Sequence, residues 1–137
     1  DRLQAAGTKR MIPLNVSGPF HTALLDPASK RLNEVLNTIN FEEMQIPLIS
    51  NTTAKPMPQN EIVSLLTKQV MSPVRFSDSI VTLKEMGVEQ LIEIGPGKTL
   101  IGFIKKIDRS LSTSRVEDAK TLAETISFLG GSNGINE

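Results

Sequence analysis

Gln90–Ile94 (QLIEI) runs directly into Gly95-Pro96-Gly97, and apolar residues at helical spacing follow over Leu100–Ile107. A short β-prone run, a tight turn and an amphipathic helix make a βα unit, the building block of a parallel sheet. Three more runs read as strands. Met11–Val16 ends in a Ser17-Gly18-Pro19 turn, Ile46–Ile49 leads into Ser50-Asn51, and Ser112–Ser114 reads as a small edge strand.

Helical patterns lie between these runs. Asp26-Pro27 is a good helix start, because Asp can cap free N–H groups and Pro loses nothing at the first helical position. Ala28, Leu32, Val35, Leu36 and Ile39 then recur at helical spacing. Ile62, Leu65, Leu66, Gln69 and Val70 form a second stripe, stopped before Pro73. Ile80, Leu83 and Lys84–Met86 form a third, closed by Gly87. Ser114-Arg115-Val116-Glu117 has capping-box spacing, and behind it Ala119, Leu122, Ala123, Ile126 and Leu129 make an apolar face. Strands separated by helices predict an α/β layer with parallel pairing and right-handed crossovers. Ligands in such sheets sit at the carboxyl ends of the strands, so Ser17–His21, Ser50-Asn51 and Gly95–Lys98 are expected to converge on one edge.

The 137 residues suffice for one ordinary domain. Fifteen basic and fifteen acidic side chains balance, and five Phe are the only aromatics apart from the lone His. A polyanion partner or a base-stacking surface is therefore disfavoured. The chain has no Cys, which removes disulfides and thiolate chemistry and fits a reducing, cytoplasmic setting. No apolar run approaches a membrane span. Asp1–Thr8 reads as the end of a helix stopped by Gly7, so the sequence is expected to have been cut from something longer. Gly130–Glu137 reads as a polar tail.

The single histidine, His21, follows a strand and a turn and precedes a helix. Histidine titrates near neutrality and can take and return a proton in one turnover; position alone leaves open a surface histidine with no role. Neither Ser17 nor Ser50 sits in a G-x-S-x-G elbow, and both read as turn residues. Gly97-Lys98-Thr99 ends like a phosphate loop, but Ile92 stands where the full pattern needs Gly. The segment reads as a tight turn, with the alternative that Lys98 and the following helix start lie near a phosphate or phosphopantetheine group. No metal site is expected from one His and scattered carboxylates.

Four stretches, in order, resemble the malonyl-CoA:acyl carrier protein transacylase family. Pro13–Thr22 (PLNVSGPFHT) resembles its active-site histidine segment, and Ile46–Asn51 (IPLISN) its next core strand. Lys68–Phe76 (KQVMSPVRF) resembles its R/K-Q-x-x-x-P-V-x-aromatic segment, and Leu91–Leu100 (LIEIGPGKTL) its E-x-G-P-G-x-x-L turn. The resemblance covers nearly the whole chain but only the later part of the family's. It implies an α/β-hydrolase-like acyltransferase core with a parallel sheet. Residues 1–16 would be the last helix and strand of a small ferredoxin-like subdomain, 17–130 the C-terminal part of the core, and 131–137 a flexible tail.

It further implies ping-pong transfer of malonyl from malonyl-CoA through a serine to the phosphopantetheine thiol of acyl carrier protein, with no resident cofactor. His21 would be the general base and then acid, oriented by the Gln69 backbone carbonyl, with Phe20 a substrate-pocket residue. Arg75 does not match the family's carboxylate-gripping arginine. The partners implied are malonyl-CoA, acyl carrier protein and the serine-bearing N-terminal part of the same enzyme, with no nucleic acid and no membrane. The chain alone is expected to be inactive and to expose apolar surface. Two other readings remain: a non-catalytic acyltransferase-like binding module, and a polyketide-type acyltransferase of another acyl preference.

Overall fold

The computed structural model describes residues 2–12 and 18–130. Six α-helices occur among them: α1 (Arg2–Ala5), α2 (Asp26–Leu36), α3 (Ile62–Gln69), α4 (Phe76–Glu85), α5 (Thr99–Ile107) and α6 (Ala119–Gly130). Two strands, β1 (Gln90–Ile94) and β2 (Ser112–Val116), pair parallel with α5 as the crossover, in register Gln90↔Ser112 through Ile94↔Val116. This is the βα unit that the Gln90–Ile107 pattern predicts. Gly87 closes α4 at φ 84° and Gly7 follows α1 at φ 86°, backbone angles that glycine adopts without a Cβ clash. No helix among the described residues is long and apolar enough to cross a membrane.

The core is divided. Met57, Ile62 and Leu65 are buried together under Phe41, Met44 and Leu66. Ile80, Ile104 and Leu111 form a second cluster beneath β1, with Phe76, Leu83, Leu91 and Ile107 around it. Phe76 and Phe103 meet edge to face at 6.3 Å. Between the clusters, the Thr82 hydroxyl donates to the Ala54 carbonyl over 2.7 Å, with both residues buried.

Several expectations need correction. Among the described residues the sheet has two strands, and the strand expected at Met11–Val16 falls mostly outside them. Met11 and Ile12 are exposed and unladdered, and residues 13–17 lie outside the described residues. Ile46–Ile49 forms no strand: Ile49 makes one isolated antiparallel bridge to Pro56. The chain there folds back on itself, with Ser50 N–H donating to Lys55 O at 2.9 Å and Met57 N–H to Leu48 O at 2.8 Å. Pro47 has no N–H to extend a ladder.

The expected capping box fails because β2 runs on through Val116. The start of α6 is capped instead by Asp118, whose Oδ1 accepts the Thr121 N–H at 2.8 Å. The buried face of α6 is Thr121 and Thr125, while Leu122, Ile126 and Leu129 are exposed. Hydroxyl chemistry explains the reversal. Thr125 donates to the Arg115 carbonyl at 2.8 Å and meets the Ser114 hydroxyl, knitting α6 to β2.

Candidate active site

The end of α3 organises the site. The last four carbonyls of a helix lack intrahelical partners. Here Thr67 O accepts the Ser29 hydroxyl of α2 at 2.9 Å. Lys68 O accepts the Met71 N–H at 3.1 Å and the Ser72 hydroxyl at 2.9 Å. Gln69 O accepts the Ser72 N–H at 3.3 Å and, at 3.0 Å, Nδ1 of His21.

A carbonyl oxygen can only accept, so Nδ1 carries the proton. The neutral ring then presents Nε2 with a free lone pair, the form in which an imidazole removes a proton.

His21 is exposed, at the close of a turn fixed by the Thr22 hydroxyl donating to Pro19 O at 2.8 Å. Its φ of 60° lies in the left-handed region, uncommon for a residue with a side chain. Such strain collects at functional sites. A one-turn 3-10 helix, Ala23–Leu25, then leads into α2 with Pro27 in its first turn. Phe20 is 61% exposed beside His21, and a methyl group at Gly18 would lie 3.6 Å from its ring.

Asn51 approaches from the other side: its Nδ2 donates to the Gln69 side-chain oxygen at 3.4 Å. Two of the three expected segments thus meet around Gln69, although Ser50-Asn51 is a turn rather than a strand end. Asn51 was not singled out for this by the sequence, since nothing local shows which helix end a turn will touch.

The Gly95–Thr99 turn has its own partners. Both oxygens of Glu93 cap α5, accepting Leu100 N–H at 3.1 Å and Ile101 N–H at 2.9 Å. Glu117 takes the Gly97 N–H at 2.7 Å and pairs with Arg115. Two carboxylates therefore occupy three of the N–H donors that a phosphate could use at this helix start. Lys98 instead borders an open surface hollow with Lys105, Arg115 and Glu124. Arg75 is held by Asp78 at 2.8 Å and reaches Thr53 O at 3.4 Å.

One pattern escaped the sequence reading. Gly130-Gly131-Ser132-Asn133-Gly134 matches G-x-S-x-G letter for letter. A nucleophile elbow is entered from a strand. Here Gly130 is the last residue of α6, so the context fails; residues 131–137 lie outside the described residues.

A parallel βα unit joined to a helix-end histidine defines an α/β protein with a candidate proton-transfer centre. No protein-family profile matches the chain. It is 45% identical over 128 residues to malonyl CoA-acyl carrier protein transacylase of Bacillus subtilis, covering 93% of this chain and 40% of that one. It is 39% identical over 121 residues to the enzyme of that name from Staphylococcus aureus, covering 85% and 39%.

Among solved structures, MCAT from Streptococcus pneumoniae superposes with TM-score 0.87 at 50% identity, covering 92% of this chain and 41% of that one. A malonyl-transacylase in complex with a type II PKS acyl-carrier protein superposes with TM-score 0.84 at 40% identity, covering 93% and 41%. Over the stretch it shares with them, the chain is similar to the malonyl CoA-acyl carrier protein transacylases. It spans about two fifths of the length of these relatives.

Proposed function

We propose that this chain supplies the histidine half of an acyl-transfer site that moves malonyl from malonyl-CoA to acyl carrier protein. The observation that carries the reading is the bond between His21 Nδ1 and the Gln69 carbonyl, which leaves Nε2 free to face a nucleophile. Nε2 takes the proton of a serine hydroxyl as the oxygen attacks the malonyl thioester, and returns it to the departing coenzyme A thiolate. In the second half-reaction Nε2 takes the proton of the phosphopantetheine thiol as its sulfur attacks the acyl-serine, and the serine oxygen recovers it. Gln69 fixes the tautomer throughout, and Phe20 lines the approach to the ring.

The serine comes from chain outside this sequence, in the serine-bearing N-terminal part of the same enzyme. On this reading residues 17–130 are part of an α/β-hydrolase-like core, and residues 1–16 end a ferredoxin-like subdomain. The setting is the cytoplasm, and the absence of cysteine accords with it.

The test replaces the matching stretch of the Bacillus subtilis relative with this chain and follows malonyl transfer to acyl carrier protein. The chimera should transfer malonyl, and His21→Ala should slow it by about 10²- to 10⁴-fold. The isolated chain should transfer none, because nucleophile and base act as a unit. An active chimera indifferent to His21→Ala would sink the assignment and favour an idle histidine.

A further inference from the structure

We infer that Asn51 is a positioning residue for His21, acting through Gln69; this rests on reading His21 as the proton-transfer group. Gln69 is the last residue of α3, where helix ends fray and the final peptide planes are free to swing. The histidine depends on one such plane, through the 3.0 Å bond to the Gln69 carbonyl. The Gln69 side chain is tethered in turn by Asn51 Nδ2 at 3.4 Å. Two amides can exchange donor and acceptor ends, so the tie survives rotation of either group.

Asn51 is itself firmly held. Its carbonyl accepts the Arg75 N–H at 3.0 Å, and the Arg75 guanidinium crosses to Thr53 O at 3.4 Å while paired with Asp78 at 2.8 Å. On the other flank, Ser50 is 2% exposed, and its Oγ accepts the Thr52 N–H at 3.2 Å. The turn is therefore a fixed post, and the Asn51 side chain reaches from it to the helix end that aims the imidazole. Replacing that side chain leaves the backbone bond to Arg75 intact, so the effect on His21 is separable from an effect on the turn.

Because the chain has one histidine, nitrogen NMR of the imidazole reports on His21 alone. In the unsubstituted chain the Nδ1–H tautomer should dominate. Asn51→Ala should shift the tautomer ratio toward Nε2–H by about 2- to 10-fold, the range for loss of one modest hydrogen bond. Gln69→Leu keeps the backbone carbonyl and removes only the side-chain acceptor, so it should give the same shift. The double variant should add nothing further. An unchanged ratio in Asn51→Ala, or shifts that add in the double variant, would overturn the inference and leave the role of His21 standing. Predominance of Nε2–H in the unsubstituted chain would overturn both.

Discussion

The Ser29 hydroxyl of α2 donates to the Thr67 carbonyl of α3 at 2.9 Å, from a side chain 2% exposed. It pins the helix that follows His21 to the helix that ends at Gln69, and so fixes the distance the ring must span. Ser29→Ala leaves a part-buried carbonyl unpaired. The expected loss is about 1–2 kcal/mol in denaturant unfolding, with helix content retained.

Glu93 closes α5 with both carboxylate oxygens. Glu93→Ala should cost about 1–2 kcal/mol by freeing two N–H groups at a positive helix end. In the unsubstituted chain, inorganic phosphate should give no chemical-shift change at Leu100 and Ile101. In Glu93→Ala, weak phosphate binding should appear at those amides.

The acid limb of stability should depend on two carboxylates. The Thr121 N–H and hydroxyl hold Asp118 below its ordinary value of 3.8. Asp108 is held far lower by the Lys84 ammonium and then by Ser110. Both groups are depressed in the folded state, so their contribution is complete above the unfolded value. It fades as pH falls below about 4 toward the folded values. Asp118→Asn can still cap α6 but lacks the charge, so it should melt somewhat below the parent at pH 7 and lose less on acidification below pH 4.

Among the described residues β1 pairs with β2, and Ile94 at its end is 82% exposed. An exposed apolar side chain at the end of a strand invites contact with another chain. Sedimentation should show this chain associating as concentration rises, and Ile94→Lys should shift it toward monomer. A concentration-independent monomer in the unsubstituted chain would refute this expectation.

The sequence was most informative where periodicity and punctuation agreed. Pro27, the stop before Pro73, Gly87 and the QLIEI-GPG junction each carry their backbone reason locally, and each sits at the boundary expected, although Asp26 opens α2 as its first residue without capping it. The strand at Ile46–Ile49 and the packing face of α6 were not legible, because both depend on partners distant along the chain. An apolar run becomes a strand only if another strand lies beside it. Leu122, Ile126 and Leu129 look like a core face, yet paired hydroxyls at Thr121 and Thr125 win the contact with β2. At the site, histidine chemistry marked His21. The link to Gln69 came from motif resemblance, since 48 residues separate the two partners. Asn51 needed the fold itself.

The positive φ of His21 narrows the alphabet open to that position. Gly, Asn and Asp adopt that backbone most readily, and β-branched residues are strongly disfavoured there. Of those three, Asp alone carries a basic group, and an ionised carboxylate would face the Gln69 carbonyl oxygen with no hydrogen to offer it. The turn thus disfavours most replacements at this position, and a drift to another base would favour a rebuilt loop before the chemistry could change.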